Sequence, residues 1–237
     1  MLMTKSTPAA RERHYYLSTA ALIAVITFAG FARTYYLRGY FHTRALTFFL
    51  HIHGAVMTGW IALFFVQSLL IASRQVRTHR YLGVFGGFLG VLVVALGSTA
   101  TLMAAAREVR GHTDFVPLQL SILALELTQM LLFAYFAGTA IYLRRRPDVH
   151  KRYMLLATLC MLPNPEVRML PFIQNNLVIL LLWSVVVFTF VTVDAMRSGR
   201  IHPAFLRGAA IANAALYLAY FGSATAGWRY FASHLVA

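Results

Sequence analysis

Two short segments place a histidine directly before basic residues at the start of an apolar run. One begins at His79, followed by Arg80, and the other begins at His150, followed by Lys151 and Arg152. Imidazole is a common axial ligand of haem iron, so His79 and His150 can share one haem b if their helices are neighbours. The basic residues would then offset the charge of its propionates. The alternative is that both segments only anchor helix ends among lipid phosphates.

A third histidine, His53, heads a helical stripe. The stripe continues at steps of four and three residues through Met57, Trp60, Phe64 and Gln67. It places polar groups about 21 Å apart along one helix face, one near each membrane surface. His51 is two residues away, about 200° around the helix, and faces elsewhere. The stripe is either an inward polar face held by interhelical hydrogen bonds or a ligand contact at His53.

Glu126 and Gln129 are three residues apart and share one face of the fourth apolar run of the sequence. A carboxyl group inside a membrane span predicts a function by default, because burying it in hydrocarbon is costly. Proton or cation handling is the expected role. His53 enters from the same membrane side at a similar depth, so a contact between His53 and Glu126 is allowed.

The fifth apolar run is irregular. It reaches Pro163 and Pro165 after only about 13 residues, too few to span a bilayer, so we expect a break there. Asn164, Glu166 and Arg168 follow. Polar groups at a broken helix are typical of transporter substrate sites, although a Glu166–Arg168 pair can equally close a turn.

Composition identifies the class of protein. The chain has 237 residues, of which 59% are hydrophobic and only 12% are charged, with a mean hydropathy of +0.66. Apolar runs long enough to cross a bilayer recur along it, about seven in all. We therefore predict an all-α integral membrane bundle forming one domain, 1–237, with a basic N-terminus at 1–14. The net charge of +14 is explained by headgroup contact, and no nucleic-acid role is expected.

The apolar runs predict the following spans. They are Tyr15–Ala32, Ala45–Ser73, Tyr81–Ala106, Phe115–Leu143, a broken fifth run from Asp148, Met169–Val193 and Gly208–Trp228. Helix 3 carries glycines four apart (Gly83 and Gly87, Gly86 and Gly90), which favour close packing or leave room for a flat ring.

Basic residues in the connections predict the orientation. Alternating sides from the N-terminus places 14 Lys and Arg residues on one face and 7 on the other. Because cytoplasmic loops carry the excess, the N-terminus is expected in the cytoplasm and the C-terminus outside, in a bacterial inner membrane.

The segments around His51–Gly54, His79–Gly83 and His150–Leu155 resemble a widespread group of bacterial multi-pass proteins without a settled activity. More distantly, the layout is similar to the transmembrane ascorbate-reducible cytochromes b. That family carries two haems, each held by histidines of alternate core helices, which implies haem b at His79 and His150. His53 matches half of a second pair, but helix 4 has Glu126 and Gln129 where a histidine is expected.

Several functions remain open at this stage. The first is a haem b redox protein that meets a quinone or another membrane redox partner. The second is a cofactor-free transporter or binding protein that uses Glu126, and the third is a non-catalytic assembly subunit. A metal-dependent enzyme is the last, with His53, Glu126 and Glu166 as ligands of iron, copper or zinc.

Overall fold

The protein is described from a computed structural model that covers residues 8–111, 116–173 and 175–236. All regular structure in these ranges is helical. The helices are α1 Pro8–Phe31, α2 Phe48–Ala72, α3 Val76–Gly111, α4 Val116–Tyr142, α5 Pro147–Leu159, α6 Pro163–Met169, α7 Asn176–Ser198, α8 Pro203–Gly222 and α9 Ala226–Val236. Six of them, α1–α4, α7 and α8, are long and apolar enough to cross a membrane. The prediction of an all-α membrane bundle is confirmed.

The fifth apolar run is broken, as predicted, into the two helices α5 and α6. The prolines do not interrupt a helix, since Pro163 starts α6 at a position where its missing N–H costs no hydrogen bond. Before it, Met161 and Leu162 donate to carbonyls only three residues back, which tightens the chain into a turn. Together α5 and α6 run from the face where α1 begins to the face where α1 ends.

We call the membrane face where α1 begins the N-terminal face, and the other the opposite face. α5 lies at the centre, and every residue from Arg152 to Leu159 except Met154 is buried. α4 packs against α3, α5 and α8, so these helices enclose the core. The glycines of α3 serve this packing: a Cβ atom at Gly86 would lie 3.1 Å from Cδ2 of Leu63 on α2, and one at Gly90 would lie 3.5 Å from Cζ3 of Trp60. The structure therefore favours the packing interpretation of these glycines.

Two tryptophan side chains brace the break between α5 and α6. Trp183 of α7 donates from Nε1 to the carbonyl of Leu159 over 2.9 Å. Trp60 of α2 donates to Oγ1 of Thr158 over 3.3 Å. A carbonyl freed by a broken helix must be satisfied in hydrocarbon, and here a buried indole satisfies it. The carbonyl of Leu159 thus accepts from both the N–H of Leu162 and the indole of Trp183.

Helix ends differ from the sequence-based bounds for local reasons. α1 includes the basic segment from Pro8, while Met1–Thr7 lie outside the described residues. The start expected at Phe115 also lies outside them. α7 begins at Asn176 because Asn175 caps it, its side chain accepting from the N–H of Leu177 over 2.9 Å.

The expected end of the last span at Trp228 is wrong. The membrane helix α8 ends at Gly222, and a separate helix, α9, follows. α9 packs on the ends of α3 and α4 at the opposite face. Its Trp228 donates from Nε1 to the carbonyl of Leu120 over 2.9 Å.

Candidate functional site

The His79 and His150 side chains meet at the N-terminal face. Each belongs to the first turn of its helix, and each helix follows a short connection, 73–75 before α3 and 143–146 before α5. These tight connections place both helix starts at the same depth. The imidazole centroids are 6.3 Å apart and the ring planes are at 89° to one another. The structure thus brings the two predicted histidines together.

Hydrogen bonding selects the tautomer of His150. Its Nδ1 lies 2.8 Å from the backbone carbonyl of Ala140 on α4. Because a carbonyl oxygen only accepts, Nδ1 carries a hydrogen, and in the neutral ring Nε2 presents its lone pair. Metal-binding histidines are commonly held in this way by a carbonyl behind the ring.

His79 has unmet hydrogen-bonding capacity. Its Nδ1 is buried and has no hydrogen-bond partner within the described part of the chain. The backbone carbonyl of Gln67 lies beside the ring, and Oε1 of the same Gln67 is also buried and without a partner there. Buried polar atoms are nearly always satisfied in native proteins. At this corner of the bundle, where α2, α3, α4 and α5 converge, two buried polar atoms are therefore available to bind another group.

The three basic residues near the histidine pair differ in their exposure and in their ion pairing. Arg80 is exposed, whereas Lys151 forms an ion pair with Glu12 of α1. Arg152 is 3% exposed and donates to both carboxylate oxygens of Asp194, from Nε over 2.8 Å and from NH2 over 3.1 Å. Of these three basic residues, Arg80 is the one that forms no ion pair in the described part of the chain.

Asp194 is the residue that sequence reasoning missed. The sixth span was expected to end at Val193, which left Asp194 in a connection. In the structure, it is 4% exposed on α7 and also accepts from the Tyr16 hydroxyl of α1 over 3.3 Å. The signal available was a single acid at the end of an apolar run.

A second polar cluster lies toward the opposite face. Glu126 accepts at Oε2 from the hydroxyl of Thr101 on α3 over 2.9 Å. The ring of His53 lies at the backbone carbonyl of Leu96, also on α3. His53 and Glu126 therefore flank the same two turns of α3, consistent with their predicted common depth.

The α6 residues Asn164 and Arg168 border this cluster. Asn164 donates from Nδ2 to Oε1 of Gln129 over 3.3 Å. Arg168 donates to the carbonyl of Asn164 over 2.9 Å and lies 4.6 Å from the ring centroid of Phe31. Its charge also acts on His53 and Glu126.

Glu166 stands apart from its expected partners. Its Oε2 is buried without a hydrogen-bond partner, and no ion pair joins it to Arg168 among the residues that the structure describes. Within those residues no three His, Cys, Asp or Glu side chains are grouped to hold a metal ion. The site of His53, Glu126 and Glu166 stays a prediction.

Comparison of the chain with protein-family models, with curated proteins and with solved structures gives no match. The two polar clusters are therefore the observations that bear on function.

Proposed function

We propose that this integral membrane protein binds one haem b between His79 and His150 and acts in electron transfer. The observation that carries the proposal is the 6.3 Å between the two imidazole centroids. Two imidazoles on opposite sides of one metal, at metal–nitrogen distances of about 2.0–2.1 Å, have centroids about 6.4 Å apart. A tetrahedral arrangement would bring them to about 5.2 Å. The observed spacing matches that of two imidazoles that would hold one metal ion between them.

His79 and His150 are the residues that would hold a haem. His150 has its lone pair on Nε2, because Nδ1 is bound to the Ala140 carbonyl. His79 is half-buried, and its buried Nδ1 has no hydrogen-bond partner among the described residues. Bound haem would supply a one-electron couple, and hydrogen bonds to its axial ligands tune such couples. The Ala140 carbonyl holds the His150 ring in place, and the α5 core holds its helix.

Removing either histidine is expected to abolish haem binding. Protein produced with added haem and purified in detergent should show the sharp reduced bands of a b-type haem after dithionite. Both His79→Ala and His150→Ala should lose them, since one imidazole cannot supply two axial bonds. His51→Ala is the matched control, because His51 is exposed near the opposite face.

A featureless spectrum from monodisperse, haem-supplied protein would overturn the proposal. So would bands that persist in both variants. Bound metal without porphyrin, measured on the same sample, would assign the pair to a bare ion instead.

We also propose that the N-terminal face is cytoplasmic, supported by the 14 basic residues assigned to it against 7. Cys160 is fully buried and is the single cysteine of the chain, so engineered cysteines can report topology. In intact cells, a membrane-impermeant maleimide should label Ala224→Cys. It should reach Ser73→Cys only after permeabilisation. The reverse pattern would contradict this orientation.

A further inference from the structure

A polar cavity of about 220 Å³ lies at the N-terminal face, between α1, the start of α5 and the connection 199–202 from α7 to α8. Its ionisable lining residues are Glu12, Asp148, Lys151, Arg152, Arg200 and His202. His150 faces α3 and α4 instead, so the cavity is separate from the histidine pair. Its volume is that of roughly seven water molecules, which gives room for a small polar headgroup.

The cavity lies at the depth of the lipid headgroups. α7 ends and α8 begins beside it, and Glu12 lies one turn before Tyr15 and Tyr16 on α1. Tyrosine is enriched where a membrane protein crosses from hydrocarbon to water. Glu12, Asp148 and Arg200 are exposed, so a ligand can enter from the headgroup layer or from the water.

The connection that carries Arg200 is fixed by three local contacts. Gly199 ends α7 in the left-handed conformation, with φ of 72°, and the Ser198 hydroxyl donates to the carbonyl of Arg200 over 2.8 Å. His202 caps α8, where its Nδ1 accepts from the N–H of Ala204 over 3.3 Å. The backbone therefore holds the Arg200 guanidinium at the cavity before any ligand is bound.

The same cap determines the charge of His202. Because Nδ1 accepts from a backbone N–H, it carries no hydrogen, and Nε2 carries the single ring hydrogen. Nε2 donates this hydrogen to Oδ2 of Asp148 over 3.1 Å. The imidazole is therefore neutral, and the exposed carboxylate of Asp148 has a hydrogen-bond donor beside it but no cation paired with it.

One cation and one anion of the cavity are left without a charged partner. The other two basic groups, Lys151 and Arg152, are paired with carboxylates. Arg200 forms no ion pair with any residue that the structure describes, and Asp148 forms none with a Lys or Arg there. A simple anion would satisfy only Arg200 and a simple cation only Asp148. A ligand that carries both charges satisfies the two together.

We propose that this cavity binds a zwitterion that carries a phosphate and a primary ammonium, the two groups of a phosphatidylethanolamine headgroup. The phosphate accepts hydrogen bonds from the guanidinium of Arg200, a geometry that arginine suits well. The ammonium donates to the carboxylate of Asp148, which only accepts. Choline has no N–H to donate, so ethanolamine is preferred. Free phosphoethanolamine has the same two groups, and the proposal does not depend on haem binding.

Native mass spectrometry of the detergent-purified protein can measure lipid binding. Phosphatidylethanolamine, phosphatidylcholine and phosphatidylglycerol with identical acyl chains are titrated separately. We expect one saturable site for phosphatidylethanolamine, about tenfold tighter than for either other lipid, the effect of one charge-assisted hydrogen bond. Equal affinities for phosphatidylethanolamine and phosphatidylcholine would overturn the proposal. Equally tight phosphatidylglycerol would also overturn it, because the cavity would then recognise phosphate alone.

Two variants test the two arms of the site. Asp148→Asn keeps the size of the side chain but removes its charge, so it should weaken phosphatidylethanolamine about tenfold. It should leave phosphatidylcholine unchanged, which also shows that this variant is folded. Arg200→Gln should weaken both lipids, since both carry the phosphate. Arg144→Gln, an exposed basic residue of the connection before α5, is the matched control.

Competition with free phosphoethanolamine identifies the source of the zwitterion. If the soluble compound displaces the lipid at equal concentration, the site serves a water-soluble zwitterion, and if it acts only in large excess, the site serves the lipid. Either result supports the shared chemistry. Phosphatidylethanolamine affinities that are the same in wild type, Asp148→Asn and Arg200→Gln would overturn it.

Discussion

Replacing Asp194 with alanine is expected to lower the free energy of unfolding by about 3–5 kcal/mol, because it leaves the buried guanidinium of Arg152 without a counter-charge. Arg152 is 3% exposed and makes two hydrogen bonds to this carboxylate. Its remaining bond, to the carbonyl of Asp148 over 2.7 Å, does not neutralise the charge. Unfolding followed by circular dichroism in mixed micelles would measure the loss.

Two further variants separate lost charge pairing from lost packing. Asp194→Asn keeps the shape and one acceptor, so we expect an intermediate loss. The double variant Asp194→Leu with Arg152→Met removes both charges and should recover much of the stability, as apolar replacements of buried ion pairs often do. A loss below about 1 kcal/mol in Asp194→Ala, typical of surface pairs, would contradict a buried pair.

Gly30→Ala is expected to displace α6 and to destabilise the bundle by about 3 kcal/mol or more, at or above the usual range for overpacking. A Cβ atom at Gly30 would lie 2.5 Å from Cβ of Pro165 and 2.6 Å from its Cα and carbonyl oxygen. These are mostly backbone atoms of a proline, which cannot turn aside. The midpoint of thermal unfolding in detergent should fall in this variant.

The matched control for Gly30 is Gly138→Ala on α4. Nothing lies within 4 Å of a Cβ atom built there, and alanine favours a helix interior over glycine by up to about 1 kcal/mol. Its midpoint of unfolding should stay equal or rise. Equal midpoints for Gly30→Ala and wild type would show that α1 and α6 do not approach so closely.

The structural features that depend on a local sequence pattern could be predicted from the sequence. Apolar length located six spans, and prolines at a short run located the break between α5 and α6. His79 and His150 could be paired because each follows a short connection on the same side, which fixes depth without knowledge of packing.

Features that depend on helix neighbours were not predictable. The contact between Glu126 and Thr101 joins α4 to α3, and the pairing of Arg152 with Asp194 joins α5 to α7. Hydropathy says nothing about which faces of two helices meet. α9 was not predicted either, because a short amphipathic helix at a membrane surface lacks the long apolar run by which a membrane span is recognised.

The indole of Trp183 bound to the Leu159 carbonyl has a mechanical consequence. Moving α7 away from α5 would leave the indole N–H unpaired in hydrocarbon, which costs several kcal/mol. Any displacement of α7 must therefore carry the end of α5 along with it. Because Cys160–Leu162 lies beyond this tie, α6 can turn there without breaking the bond, and a movement around Arg168 need not be transmitted to α7 through it.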